Sequence, residues 1–273
     1  VNKKILIAGA AIAALVVIVI VWPKKADVKS ENPTTVSRTQ EAKKLYAQAV
    51  ELRQKNELAR AKETYKEIIQ SYSDVDNIAA IQQESETVNL QILFSRIEVP
   101  QKTVMHEVVI GDSLVKIAKK YNTTIELLRR SNNLTGDVVR LGDKLRVWTS
   151  PFNIFVDKSQ NILILKDGNE VVKVYSVSTG ENNSTPVGTF KITTKLENPV
   201  WFNKGIVVPP ESPQNVLGTR WLGFDIPGYG IHGTVEPDNI GKQVTAGCVR
   251  MRNEEVEELY SILPTGTEVV VVD

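Results

Sequence analysis

Hydrophobic and polar positions change rhythm several times along the chain. Ile5 to Trp22 carry no charge, and Ala, Val and Ile dominate the stretch. At 1.5 Å per residue, a helix of that length approaches the ~30 Å hydrocarbon thickness of a bilayer. Lys3 and Lys4 precede the run, Lys24 and Lys25 follow it, and Trp22 suits a membrane interface. Its end, Val21-Trp22-Pro23, has no small-residue cleavage site beside it. An uncleaved transmembrane anchor over residues 1–23 is expected, with a cleaved signal segment as the alternative. Residues 24–37 are polar, include Pro33 and read as a linker. A helical period then sets in from Arg38 to about Ser73. Leu45, Ala49 and Leu52 share one face; after a break at Asn56, so do Ala61, Tyr65, Ile68 and Ile69. A third helix is expected from Asp76 to Ile97, which makes residues 38–97 an α-helical spacer.

Val104–Ile110 is rich in β-branched residues and reads as a strand. Gly111-Asp112 is a turn, and Leu114, Ile117 and Ala118 then share a helical face up to Tyr121. Thr123 and Glu126 have capping-box spacing and open a second helix with Ile125, Leu127 and Leu128. Turns at Gly136-Asp137 and Gly142-Asp143 lead to a strand at Lys144–Trp148. Residues 103–148 therefore read as a small α/β (βααβ) domain. Beyond Pro151, short β runs at 154–156, 162–165, 171–177 and 189–194 are separated by polar turns. One helix is expected, Glu254–Leu263, with Asn253 as its cap and acids in the first turn. Residues 151–273 should form a mostly-β domain, a sandwich or curled sheet large enough for a cleft. The expected fold class is multidomain: transmembrane helix, helical spacer, small α/β domain, mostly-β domain.

Composition narrows the function classes. The 273 residues hold 33 Lys plus Arg against 32 Asp plus Glu, a net charge of +1. That balance lacks the basic footprint of a nucleic-acid partner. The single cysteine, Cys248, rules out an intramolecular disulfide. It is either a reactive thiol or a buried, inert small hydrophobe. His106 has no Cys, Asp or Glu at metal-ligand spacing and reads as a surface or edge-strand residue. Neither a metal nor an organic cofactor is expected.

The candidate chemistry lies in two short segments. Cys248 sits in T-A-G-C-V-R-M, and the other histidine, His232, in G-Y-G-I-H-G-T. Thiolate is the reactive species, so a cysteine nucleophile needs a base or a lowered pKa. A histidine supplies either. Gly230, Gly233, Gly241 and Gly247 surround the pair, and glycine permits close backbone approach. Gly247 could let backbone N–H groups point at a developing oxyanion. In an extended segment Arg250 shares a face with Cys248, where its guanidinium could hold a carboxylate. One Cys and one His coincide easily in a chain of this length, so spacing alone leaves structural roles open.

Three resemblances add to this reading. Ala49 and Ala61 are twelve residues apart and Tyr65 follows four later, which resembles one tetratricopeptide-type (TPR-like) hairpin. An ordinary three-helix spacer explains the pattern equally well. Either would serve for spacing or for docking a protein partner. The run HEVVIGDSLVKIAKKYNTTIELLRRSNNL followed by LGDKLRV resembles a LysM domain. That resemblance implies binding to the N-acetylglucosamine-containing glycan of peptidoglycan. The groove would be shallow, flanked by Gly111, Asp112 and the loop around Asn133.

V-S-T-G at Val177–Gly180, T-P-V-G-T-F at Thr185–Phe190, I-H-G at Ile231–Gly233 and T-A-G-C-V-R-M at Thr245–Met251 together resemble the L,D-transpeptidase (YkuD) catalytic domain. The resemblance spans about 152–273. It implies a bacterial cysteine acyltransferase of cell wall biogenesis and cell shape. Cys248 would be the nucleophile and His232 its base. Gly233, Thr245 and Gly247 would shape the pocket, with backbone N–H groups near Gly247 and Cys248 as the oxyanion hole and Arg250 ordering the site. The implied reaction forms a thioester with a stem tetrapeptide and passes it to an amine, giving a 3→3 cross-link. Many family members have Ser-His-Gly-Cys where this chain has Thr245-Ala246-Gly247-Cys248, which puts substrate preference in question. Alternatives are a non-catalytic peptidoglycan-binding scaffold, or the same thioester used for carboxypeptidase or protein-attachment reactions. With the anchor, the expected location is the cytoplasmic membrane, single-pass, the catalytic domain extracytoplasmic in periplasm or cell wall.

Overall fold

The computed structural model describes residues 33–203 and 205–273. It opens with three helices, α1 (Pro33–Gln54), α2 (Leu58–Ser71) and α3 (Ile78–Leu93). α1 begins inside the stretch expected as linker. The α1–α2 turn carries Asn56 at φ +58, a left-handed conformation that asparagine tolerates. Ala49, Ala61, Tyr65, Ile68, Ile81 and Val88 form the buried centre of this module. The small alanines let the helices approach, and Tyr65 fills the space with its hydroxyl on Glu84 (2.6 Å).

The second module is β1 (Thr103–Glu107), α4 (Leu114–Tyr121), α5 (Ile125–Ser131) and β2 (Lys144–Trp148). β1 and β2 pair antiparallel, and Leu114, Ile117, Leu128, Leu145 and Val147 make its core. The cap of α5 is Thr124, not Thr123: its hydroxyl accepts from Leu127 N. His106 is buried rather than at the surface. Its ring nitrogens face the Tyr121 hydroxyl (3.1 Å) and the Asp112 carboxylate (2.9 Å).

The third module runs through β3 (Phe152–Asp157), β4 (Ile162–Asp167), β5 (Glu170–Ser176), β6 (Thr179–Gly180), β7 (Gly188–Glu197), β8 (Trp201–Asn203), β9 (Ile206–Val208), β10 (Arg220–Phe224), β11 (Gly230–His232), β12 (Gln243–Thr245), β13 (Val249–Arg250), α6 (Asn253–Ile262) and β14 (Glu268–Val272). Among the described residues an eight-stranded sheet has the order β13-β11-β10-β7-β14-β3-β4-β5. Its inward faces carry Ile154, Val156, Leu163, Leu165, Ile192, Leu222, Ile231 and Val269, which pack with Val256, Leu259 and Ile262 of α6. Asn253 is the first residue of α6 and does not cap it; the N-cap is Arg252, without a side-chain bond.

The modules share side chains. Leu93 of α3, Leu127 of α5 and Trp148 of β2 belong to the third module's core, with Leu90 and Phe94 against it. Arg146 of β2 is fully buried and donates to the Leu93 carbonyl (2.7 Å). Burial lowers its guanidinium to about 10. Lys62, Lys66 and Lys102 converge on Glu170, and Lys102 also binds the buried Asp167 (2.6 Å). Asn89 of α3 donates to the carbonyls of Val171 (3.3 Å) and Val172 (3.1 Å) on the outermost strand, β5. Glu86, one turn earlier, faces the Val174 N–H, and burial raises its carboxyl to about 7.

The membrane expectation is corrected as well. Ile5–Trp22 lies outside the described residues, and among the described residues no helix is long and apolar enough to cross a membrane. α1 has 22 residues but carries Arg38, Glu41, Lys43, Lys44, Glu51 and Arg53; α3 has only 16. A span needs ~20 predominantly apolar residues. The transmembrane element of the fold class, the membrane as a partner and the single-pass localisation are therefore withdrawn. The described fold is a helical module, a βααβ module and a mostly-β module.

Candidate active site

The site is built where β11 and β13 lie side by side. They run parallel and pair Ile231 with Val249 and His232 with Arg250. Cys248 immediately precedes β13, so the pairing carries it alongside the histidine strand. On the other side of β11, β10 pairs Trp221 with His232, and the indole stacks on the imidazole at 5.8 Å and 23°.

His232 is buried, with Nδ1 2.7 Å from the Gly233 carbonyl oxygen. A carbonyl can only accept, so Nδ1 carries the proton and Nε2 keeps its lone pair. Burial lowers the imidazole to about 4, and the Arg250 charge pushes the same way; the Gly233 and Leu217 carbonyls oppose both. The ring is neutral at neutral pH. Cys248 is half-buried, and its thiol donates to the Gly228 carbonyl (3.4 Å) rather than to His232. Burial pushes the thiol up, against the Gly230 backbone and the Arg250 charge.

The turn before Cys248 is held by Thr245. Its hydroxyl accepts from Gly247 N (3.2 Å) and donates to the Cys248 carbonyl (2.7 Å). Gly247 has φ +134, and a Cβ there would stand 2.7 Å from Tyr229 Cε1. A Cβ on Gly180 would meet Thr185 N at 2.6 Å and Gly247 Cα at 3.0 Å. The Gly180 N–H donates to Thr185 Oγ1 (2.7 Å), and β6 pairs in parallel with β12. The four motif segments thus converge on one place. Ala246 is exposed.

Arg250 is buried and paired with Glu236 (3.0 Å), while its Nε has no partner. Sequence reasoning passed over Glu236, Trp221 and Tyr229, and no local pattern marks them. It also passed over Lys158, a buried lysine that donates to the Thr185 carbonyl (2.9 Å) and pairs with Asp273 (2.8 Å). Gly111, Asp112 and Asn133 form a separate group in the βααβ module. Gly111 (φ +89) and the exposed Asn133 (φ +57) shape loops, and the Asp112 carboxylate accepts from Val109 N (3.0 Å). Ile110 and Val138 project from these loops, 89% and 87% exposed.

The chain is similar in sequence to known proteins over its second and third modules. The model of the YkuD family, the L,D-transpeptidase catalytic domain, matches residues 151–271, and that of the LysM domain matches residues 106–148. Two Bacillus subtilis relatives carry the L,D-transpeptidase name. YqjB is 44% identical over 126 residues, covering 44% of this chain and 70% of that one. YkuD is 32% identical over 168 residues, covering 59% and 94%. Among solved structures, the NMR structure of the catalytic domain from the E. faecium L,D-transpeptidase is 20% identical, covering 45% of this chain and 98% of that one, with a TM-score of 0.38. The chain belongs to the L,D-transpeptidase (YkuD) family, with a LysM domain preceding its catalytic domain.

Proposed function

We propose that this enzyme transfers peptidoglycan stem peptides through a thioester on Cys248, with His232 as the base. The observation that supports the reading is the hydrogen bond at His232: Nδ1–H is committed to the Gly233 carbonyl, which leaves Nε2 as the ring's proton acceptor, and the β11–β13 pairing sets Cys248 beside the histidine strand. Because the resting pair is neutral, the thiol proton passes to Nε2 as sulfur attacks. Turning Sγ away from the Gly228 carbonyl frees it for that transfer.

Sγ adds to the carbonyl carbon of the third residue of a stem tetrapeptide. The tetrahedral oxyanion is held by backbone N–H groups at the turn. Gly247 N–H is engaged by Thr245 Oγ1, which assigns this task first to the Cys248 N–H. Collapse breaks the amide bond, and the imidazolium gives its proton to the departing D-alanine amine. An amine of a second stem then attacks the thioester, loses its proton to His232 and releases the thiol, leaving a 3→3 cross-link. Arg250 keeps positive charge beside both groups, favouring thiolate and neutral imidazole. The LysM domain, through loops at Gly111, Asp112 and Asn133, would hold the glycan strand while the catalytic domain works on its stems.

The test is mass spectrometry of purified muropeptides incubated with the protein. A cross-linked dimer with loss of D-alanine supports the reading, and Cys248→Ala should abolish it. Trimmed monomers alone would make the acceptor water. Unchanged muropeptides with a folded protein would favour a scaffold role.

A further inference from the structure

We infer that Asn253 is a positioning residue for the histidine base, acting through the peptide unit between Gly233 and Thr234. The inference rests on His232 being that base.

Asn253 stands at the start of α6, but its side chain turns away from the helix. Oδ1 accepts from Thr219 N (3.2 Å) and Thr234 N (3.1 Å), and Nδ2 donates to the Thr234 carbonyl (2.9 Å). The amide occupies a slot emptied by two glycines. A Cβ on Gly233 would lie 2.1 Å from Asn253 Oδ1, and one on Gly218, which has φ +63, 2.3 Å from it. Gly233 is thus required less for the catalytic pocket than for admitting this side chain.

The Thr234 N–H and the Gly233 C=O are the two ends of one planar peptide unit. Fixing the N–H on Asn253 Oδ1 fixes the direction of the carbonyl that receives His232 Nδ1–H at 2.7 Å. A hydrogen bond on the N–H also polarises the unit and makes its oxygen a stronger acceptor. The path runs Oδ1 of Asn253, the 233–234 peptide, Nδ1–H of His232. Upstream, Gly233 N donates to the Arg220 carbonyl (3.2 Å), so the segment is held on both sides of the carbonyl. Without Asn253 the carbonyl is free to tilt, and the imidazole loses its preference for the tautomer with a bare Nε2.

The experiment reads the tautomer apart from activity. The chain holds two histidines, so 15N-histidine labelling of the full chain yields two imidazole systems, and His106→Gln assigns them. Wild type should show His232 as the Nδ1–H form. Asn253→Ala should show a mixture of tautomers and a kcat lower by roughly tenfold, about the effect of one hydrogen bond, with KM within about twofold. Asn253→Asp keeps the acceptor to both N–H groups, loses the donor and adds a charge. It should retain the tautomer while the acid limb of the pH profile moves up, and it serves where the alanine variant does not fold. Wild-type imidazole shifts and wild-type kcat in Asn253→Ala overturn the inference. So does an unmoved acid limb with unmoved shifts in Asn253→Asp. Full activity in His232→Ala would instead sink the reading of His232 as base, whatever the tautomer data show.

Discussion

Gly247→Ala isolates what the turn before the nucleophile contributes. Two costs are separable. Alanine at φ +134 occupies a backbone region that side-chain-bearing residues rarely adopt, which costs roughly 1–3 kcal/mol. The new Cβ would also sit 2.7 Å from Tyr229 Cε1, the edge of a ring rather than the tip of a flexible chain, and 3.3 Å from the Ser184 carbonyl. Overpacking of that kind costs another ~1–3 kcal/mol. At ~2–4 °C per kcal/mol for a protein of this size, the melting temperature should fall by on the order of 10 °C. The strain is relieved by moving the turn, and Cys248 moves with it. A displacement of ~1 Å at a reacting atom can cost 10²-fold in rate. The assay pairs a thermal melt with acylation of Cys248 by a carbapenem, whose strained lactam carbonyl stands in for the acyl donor, read as intact mass over time. Tyr229→Leu added to Gly247→Ala should restore the packing part of the loss and leave the backbone part. A single variant with parental melting temperature and parental acylation rate would refute the reasoning.

Three further outcomes are expected. The folded pKa of His232, about 4, lies below its unfolded value of ~6.5, so the unfolded chain binds more protons between them. Stability should therefore rise with pH across that window, by roughly 3 kcal/mol, and be fully present above it; urea melts of wild type and His232→Gln at pH 4 and 7 check this. Deleting Arg38–Ser95 removes Leu90, Leu93 and Phe94 from the catalytic core and the Leu93 carbonyl from Arg146, so the truncated chain should melt well below the parent. Ala246→His places the commoner family side chain at an exposed position, and muropeptide turnover should change in rate or substrate preference without losing the fold.

The parts of the fold legible in sequence were those set by local period. The βααβ order follows from a β-branched run, two helical faces and turn residues within 45 residues, and helices α1 and α2 follow from Leu45, Ala49, Ala61 and Tyr65. The parts that were not legible depend on partners distant in the chain. His106 looked like a surface residue because Asp112 and Tyr121, its two ring partners, lie on other elements. Asn253 has every local mark of a helix cap, yet its bonds go to residues 219 and 234. The docking of α3 on β5 joins residues more than 80 apart. The catalytic segments were visible as motifs, but their convergence rests on pairings such as Ile231 with Val249 that no spacing reveals. The apolar run at Ile5–Trp22 supported a location that nothing in the described fold sustains.

The amide of Asn89 on the last strand has a consequence for the enzyme among its own kind. A sheet ends in a row of unspent carbonyl and amide groups, and those groups are indifferent to which chain satisfies them. A bare β5 would invite neighbouring molecules to stitch onto one another edge to edge. The carbonyls of Val171 and Val172 are instead spoken for by a side chain from a helix, which offers no continuing strand for the next molecule to extend. The helical module is in this sense a selvage, finishing the cloth where it would otherwise fray into aggregates.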